Sequence, residues 1–333
     1  MTKRLYVAGG VTIAVFVLVQ IGAVALVEPF RAAGYQPVED PSDPTNTVLY
    51  LLGVFVVTGV MLLAFRFDAD TLIRMFIVGS SALLTYYVFS VFLPPIEVGP
   101  GIVGVMNGPA ALTALAGSFA LWFYPEWYVI DAAGVVIGMG AAGLFGISLG
   151  LLPALLLLIA LAVYDAISVY KTEHMLTLAS GMMDLKIPVV LVVPLTRSYS
   201  YLDAADRDEH GTESTDTASN DSDRPETMSD SRPERDALYI GLGDAVMPSV
   251  LVASAAYFLP SEPVVLGGLL SVPVLAAMGG TLVGLLVLIK LVTAGRPHAG
   301  LPLLNGGAIA GYLFGAIASG VPLLTAVGLT PYV

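Results

Sequence analysis

Residues 149–171 read Leu-Gly-Leu-Leu-Pro-Ala-Leu-Leu-Leu-Leu-Ile-Ala-Leu-Ala-Val-Tyr-Asp-Ala-Ile-Ser-Val-Tyr-Lys, a long apolar run holding one carboxylic acid, Asp165, near its end. A run of this length crosses ~30 Å of hydrocarbon as a helix. It shows no alternation of the kind a barrel strand needs. Comparable runs lie on both sides of it, at about 5–27, 47–65, 71–93, 102–124, 127–146, 237–259, 268–292 and 301–325. Composition agrees: of 333 residues 56% are hydrophobic and 12% charged, where a soluble domain carries about 25% charged residues. The sequence predicts an all-α, polytopic membrane protein with about nine transmembrane helices, 149–170 being the sixth. The ninth is interrupted by Gly306, Gly307, Gly320 and Pro322, and Pro94-Pro95 and Tyr124–Glu126 mark tight turns.

Four parts follow from this layout: 1–146, a five-helix membrane region; 147–202, the sixth span with a short strand-like segment; 203–236, an acidic loop; and 237–333, the seventh span with the C-terminal spans. The first span has Lys3 and Arg4 ahead of its apolar run, as a signal peptide does. Its run is too long for a signal-peptide core, so it reads as a retained helix.

Charge is concentrated in one place. Of a net −12, most resides between Asp203 and Asp236, where twelve Asp and Glu face four Lys and Arg among Ser, Thr, Pro and Asn. Such a stretch buries too little apolar surface to fold and is expected to be a solvated loop. The acidity suits a high-salt cytoplasm and suggests a halophilic archaeal source. With no basic stripe, nucleic acid is not an expected partner. There is no cysteine, which excludes disulfides, thiolate metal sites and a cysteine nucleophile. His174, His210 and His298 are far apart, so no metal site and no cofactor are expected.

Orientation follows from the positive charges. With a cytoplasmic N-terminus, Lys3, Arg4, Arg66, Arg74, Lys171, Lys186, Arg197, Arg207, Arg224, Arg232, Arg235, Lys290 and Arg296 all fall inside, and only Arg31 falls outside. The C-terminus is then outside, and the acidic loop joins the sixth and seventh spans on the cytoplasmic side of the cell membrane.

A second carboxylate, Asp244, lies in the seventh span within Tyr239-Ile240-Gly241-Leu242-Gly243-Asp244. Carboxylates inside spans are costly and mark function by default. Counting at about 1.5 Å per residue places Asp165 and Asp244 at matching depth, roughly 9–10 Å below the cytoplasmic face. Two neighbouring carboxyls in a low dielectric share a proton. That is the arrangement an aspartic protease needs: the ionised group takes a proton from water while its protonated partner hydrogen-bonds the scissile carbonyl. Gly241 and Gly243 leave room beside Asp244 for an extended backbone. Tyr164 is placed to pack over the site or hydrogen-bond within it. On the residues alone, an ion- or proton-coupled channel or secondary transporter using the same aspartates stays open. No convincing internal repeat relates the two halves.

At these positions the sequence resembles the presenilin and signal peptide peptidase family of intramembrane aspartyl proteases. The Tyr-Asp motif is Tyr164-Asp165, and the Gly-x-Gly-Asp motif is Gly241-Leu242-Gly243-Asp244 in the presenilin form. The family's Pro-Ala-Leu motif is imperfect within Ala299-Gly300-Leu301-Pro302-Leu303-Leu304. Either Pro302-Leu303-Leu304 matches with Leu for Ala, or Ala299-Gly300-Leu301 matches with its first Pro lost. The resemblance implies catalysis by Asp165 and Asp244, with substrate contacts from Tyr164, Gly241, Leu242, Gly243, Leu301, Pro302, Leu303 and Leu304. It also implies transmembrane-helix protein substrates cut within the lipid bilayer. The charge count gives the presenilin orientation, so substrates are expected to have their N-terminus outside. No obligatory partner subunit is implied, and homo-oligomerisation stays open.

Lys186–Pro194 is short, β-branched and bounded by prolines, and reads as a strand. It either adds an edge to an unwound substrate or packs as an interfacial segment under the loop. Asp131 reads as an interfacial cap. Gly134-x-x-x-Gly138 and Gly311-x-x-x-Gly315 read as close-packing faces.

Overall fold

The computed structural model describes residues 2–67, 69–96, 107–171, 190–194, 237–259, 262–265, 269–293 and 298–332. The acidic stretch 203–236 and residues 186–189 of the strand-like segment lie outside the described residues. The long helices are α1 (Thr2–Ala32), α2 (Thr45–Arg66), α3 (Asp70–Phe92), α4 (Gly108–Phe123), α5 (Trp127–Ser148), α6 (Leu151–Lys171), α7 (Leu242–Phe258), α8 (Val272–Thr293) and α9 (Leu301–Ala318). A single-turn α10 (Leu323–Ala326) follows. Strands β1 (Val190–Pro194) and β2 (Ala237–Gly241) form one antiparallel pair, and β3 (Pro263–Val265) and β4 (Leu270–Ser271) another. Seven helices, all but α4 and α7 among the nine, are long and apolar enough to cross a membrane by length and composition. The other two are apolar helices of 16 and 17 residues.

Local signals account for most boundaries. Asn107 caps α4, its Oδ1 accepting the Ala110 N–H at 3.2 Å, with Pro109 in the first turn where a missing N–H costs nothing. The expected ninth span ends early, at Ala318, because Gly320 adopts φ +77° and Pro322 follows. The largest departure is at 237–241, expected to be helical and found as β2. Tyr239 and Ile240 favour a strand, and Gly241 and Gly243 weaken any helical continuation. The chain therefore enters α7 only at Leu242. Extended residues advance about 3.3 Å each, about twice the helical rise, so a helical count does not give the depth of Asp244.

Helix α7 occupies the centre. Ala245, Val246 and every residue from Pro248 to Ala255 are buried, the all-round burial of a helix enclosed by others. It packs against α1, α5, α6, α8 and α9. Glycines set how closely: Gly143 of α5 approaches the Ala23 carbonyl of α1, and Gly146 approaches Ala253 of α7. By contrast α2 buries only Thr47. Its Val48, Leu49, Leu52, Phe55, Val56 and Leu63 face outward, a surface that only hydrocarbon covers at no cost. Two bonds between residues distant in sequence then tie α7 to the corner between α5 and α6, and α9 to α6. Ser254 Oγ donates to the Leu149 carbonyl at 2.8 Å, and Asn305 Nδ2 of α9 donates to the Leu158 carbonyl at 3.0 Å.

Candidate active site

The two aspartates meet at the start of α9. Asp165, two turns beyond Leu158 on α6 and only 4% exposed, accepts the Leu301 N–H on Oδ2 at 3.0 Å. The Gly300 amide lies beside the same carboxyl. Asp244 faces Gly300 from the other side: a Cβ built on Gly300 lies 3.2 and 3.4 Å from its two carboxyl oxygens. The carboxyls are close enough for the charge of one to act on the other. Each also sits at a helix N-terminus. Asp244 is in the first turn of α7, and Leu301 supplies a first-turn N–H of α9 that has no partner within its own helix. Free N–H groups and the positive end of the helix dipole are what stabilise an anion in an apolar setting. The Leu301 N–H provides this for Asp165, and its place in the first turn of α7 puts Asp244 at the positive end of that helix.

Among the described residues, packing does not require the glycines flanking Asp244. A Cβ on Gly243 meets no atom within 4 Å among the described residues, and one on Gly241 only brushes Asp244 Oδ2 at 3.5 Å. Open space beside the acid is what an unwound substrate needs. Gly243→Val is therefore expected to keep the wild-type thermal midpoint while peptide release falls by about tenfold, ~1.4 kcal/mol of barrier. Unchanged release from a long transmembrane substrate counts against that role for Gly243.

The strand reading of 186–194 holds for Val190–Pro194. Its register pairs Val190 with Gly241, Val192 with Tyr239 and Pro194 with Ala237. Antiparallel residues alternate between exchanging both bonds and pointing them outward. The Val192 N–H is taken by Asp131 Oδ1 at 2.7 Å, and Pro194 has no N–H. Val190, Val192 and Pro194 are thus the outward set, and opposite them Ala237, Tyr239 and Gly241 turn their backbone groups outward from β2. The outer edge of β1 is closed by α5. That of β2 ends at Gly241, three residues from Asp244.

The remaining sequence-derived residues separate. Gly300 and Leu301 lie at the carboxyls, so the Ala299-Gly300-Leu301 alignment, not Pro302-Leu303-Leu304, brings the third motif to the aspartates. Pro302 occupies the first turn of α9. The Leu303 carbonyl abuts Gly284 of α8, and Leu304 is buried in the cluster with Phe16, Leu191 and Leu285. Leu242 packs on α5, its Cδ1 within 3.4 Å of a Cβ on Gly138. Tyr164 is 42% exposed and its ring lies edge-on to Phe55 of α2, 5.6 Å between centroids. Two residues outside the sequence-derived set join the site: Asp131, through Val192, and Asn305, which ties α9 to α6. An acid inside a span was the available signal for Asp131.

The signal-peptide peptidase, presenilin aspartyl protease family signature matches residues 13–321. One solved structure of a presenilin family intramembrane aspartate protease, in a C222 crystal form, is 33% identical with TM-score 0.62, covering 94% of this chain and 99% of that one. A second, in a P2 form, is 34% identical with TM-score 0.58, covering 92% and 96%. No curated protein matches significantly. A transporter or channel assignment has no counterpart in these matches. The chain is a multi-pass membrane protein that belongs to the signal peptide peptidase and presenilin family of intramembrane aspartyl proteases.

Proposed function

We propose that Asp165 and Asp244 are the catalytic pair and that they cut single transmembrane helices whose N-terminus lies outside. The observation carrying this is the convergence of both carboxyls on Gly300–Leu301. One carboxylate removes a proton from a water held between the two, and the water oxygen attacks the scissile carbonyl. The protonated partner hydrogen-bonds that carbonyl as charge develops on it. The tetrahedral diol then collapses with proton transfer to the leaving nitrogen. The edge of β2, which no other strand pairs among the described residues, supports the way in: an unwound substrate adds as a strand along Ala237, Tyr239 and Gly241 and enters the space beside Gly243. The positive-inside count of the loops supports the orientation.

The test is peptide release by the purified chain in proteoliposomes, from two single-span substrates of opposite orientation. A substrate isostere carrying a hydroxyl at the scissile position is added in parallel, as a mimic of the diol. Release is expected from the N-terminus-outside substrate alone, and the isostere is expected to stop it. Release insensitive to the isostere sinks the diol mechanism, and equal release from both orientations sinks the orientation.

A further inference from the structure

We propose that Asp131 is a positioning residue that sets where the substrate is cut, by closing one strand edge and fixing the phase of the other. This rests on strand addition as proposed above. Asp131 stands on α5, outside the three motifs, half-buried, and its Oδ1 accepts the Val192 N–H at 2.7 Å. A bond of this length to a carboxylate is charge-assisted and roughly twice as strong as a neutral one.

One turn along α5, Gly134 receives the neighbouring strand residue: a Cβ there lies 2.9 Å from Leu191 Cδ2 and 3.7 Å from Leu242 Cδ1. Another turn along, Gly138 meets Leu242 again, at 3.4 Å. Positions 131, 134 and 138 share one helix face. That face grips β1 by backbone and side chain and also holds the first residue of α7, next to Gly243-Asp244.

Two consequences follow. With the Val192 N–H occupied, an incoming strand has no donor at the centre of the outer edge of β1, and β2 is the edge left to it. With β1 tied to α5, its pairing holds β2 extended along its whole length up to Gly241, so the residues β2 offers keep one spacing from Asp244. Strand registers that keep the same face differ by two residues. A loosened β1 lets the substrate settle two residues away and moves the cut by the same amount. The carboxylate acts here as an acceptor, so Asn retains the function and an apolar side chain removes it.

The experiment compares the full wild-type chain with Asp131→Asn, Asp131→Leu and Val192→Pro. Val192→Pro deletes the donor from the strand side, at an outward position where proline costs no ladder bond. Products from one single-span substrate are sized by mass spectrometry, and amide exchange in β1 is followed alongside. Asp131→Leu and Val192→Pro are expected to speed exchange in β1 and to spread the products, with new cuts about two residues from the main one. Asp131→Asn is expected to keep the wild-type pattern.

Unchanged product positions in chains whose β1 exchange has risen overturn the proposal, as does spreading in Asp131→Asn equal to that in Asp131→Leu. If the wild type yields no product that depends on Asp165 and Asp244, the catalytic reading itself fails and this proposal fails with it. An unspread pattern in a chain that does cleave rejects Asp131 alone.

Discussion

Asp244→Asn is expected to leave a folded chain that releases at least about a thousandfold less peptide than the wild type, the range lost with a general acid–base group. Asn has the shape of Asp and keeps its contact with Gly300, but it neither ionises nor passes a proton to the leaving nitrogen. Asp165→Asn is expected to fail equally, because the two acids act as a unit and the loss of either removes the exchange between them. Stability is expected to move the other way. Asp165 and Asp244 are close enough to act on each other's charge, and an uncharged amide removes that repulsion and part of the desolvation cost. Thermal midpoints of both variants in detergent are therefore expected at or above the wild-type value, the usual stability cost of a functional site. Release above about a tenth of wild type from either variant would show that the acids bear structure alone, since a spectator Asp loses little on conversion to Asn.

The legible part of this molecule is whatever rests on long runs. The apolar stretch around Asp165 requires a membrane span because nothing else satisfies a backbone in hydrocarbon, and α6 is found at Leu151–Lys171. The short stretch Ala237–Gly241 was not legible. Five residues carry no usable period, and the strand is selected by β1, a partner distant in sequence. The depth argument for Asp244 thus rested on a helical count that does not apply, although the acid still reaches Asp165. What joins them is the N-terminus of α9, where the Leu301 N–H holds Asp165 and Gly300 lies against Asp244. The same feature separates the two alignments of the third motif: Gly300 and Leu301 stand at a helix start, whereas Leu303 and Leu304 already belong to its packed side. Asp131 reads as an interfacial cap, whereas it accepts the Val192 N–H. That partner, one backbone N–H of a remote strand, was not legible, because such a bond leaves no trace in residue type.

Gly284→Val is expected to destabilise the chain by about 3 kcal/mol, the upper end for overpacking. At the site a Cβ lies 2.9 Å from the Leu303 carbonyl carbon and 3.2 Å from the Leu304 Cα. The obstruction is backbone, which cannot rotate aside as a side chain does. The stripe around it offers no slack: Gly280 faces Gly307 and Gly311, and Gly315 faces Pro273 and Ala276. The Gly311-x-x-x-Gly315 face read from the sequence is thus one part of a glycine seam between the first half of α8 and α9, of the kind by which helices approach closely in a bilayer. Separating them moves more than a packing interface. Leu303 lies two residues after Leu301, whose N–H holds Asp165, so a shifted first turn of α9 withdraws that donor and displaces Gly300 from Asp244. Loss of peptide release is expected to accompany a fall of about 5–10 °C in thermal midpoint, with Gly284→Ala milder in both. Gly243→Val adds the same bulk beside the same acids but where a Cβ meets none of the described residues, so the two valine variants are expected to separate folding from access. Equal midpoints for Gly284→Val and wild type would show that the seam is loose and that α9 is not held at the aspartates by α8.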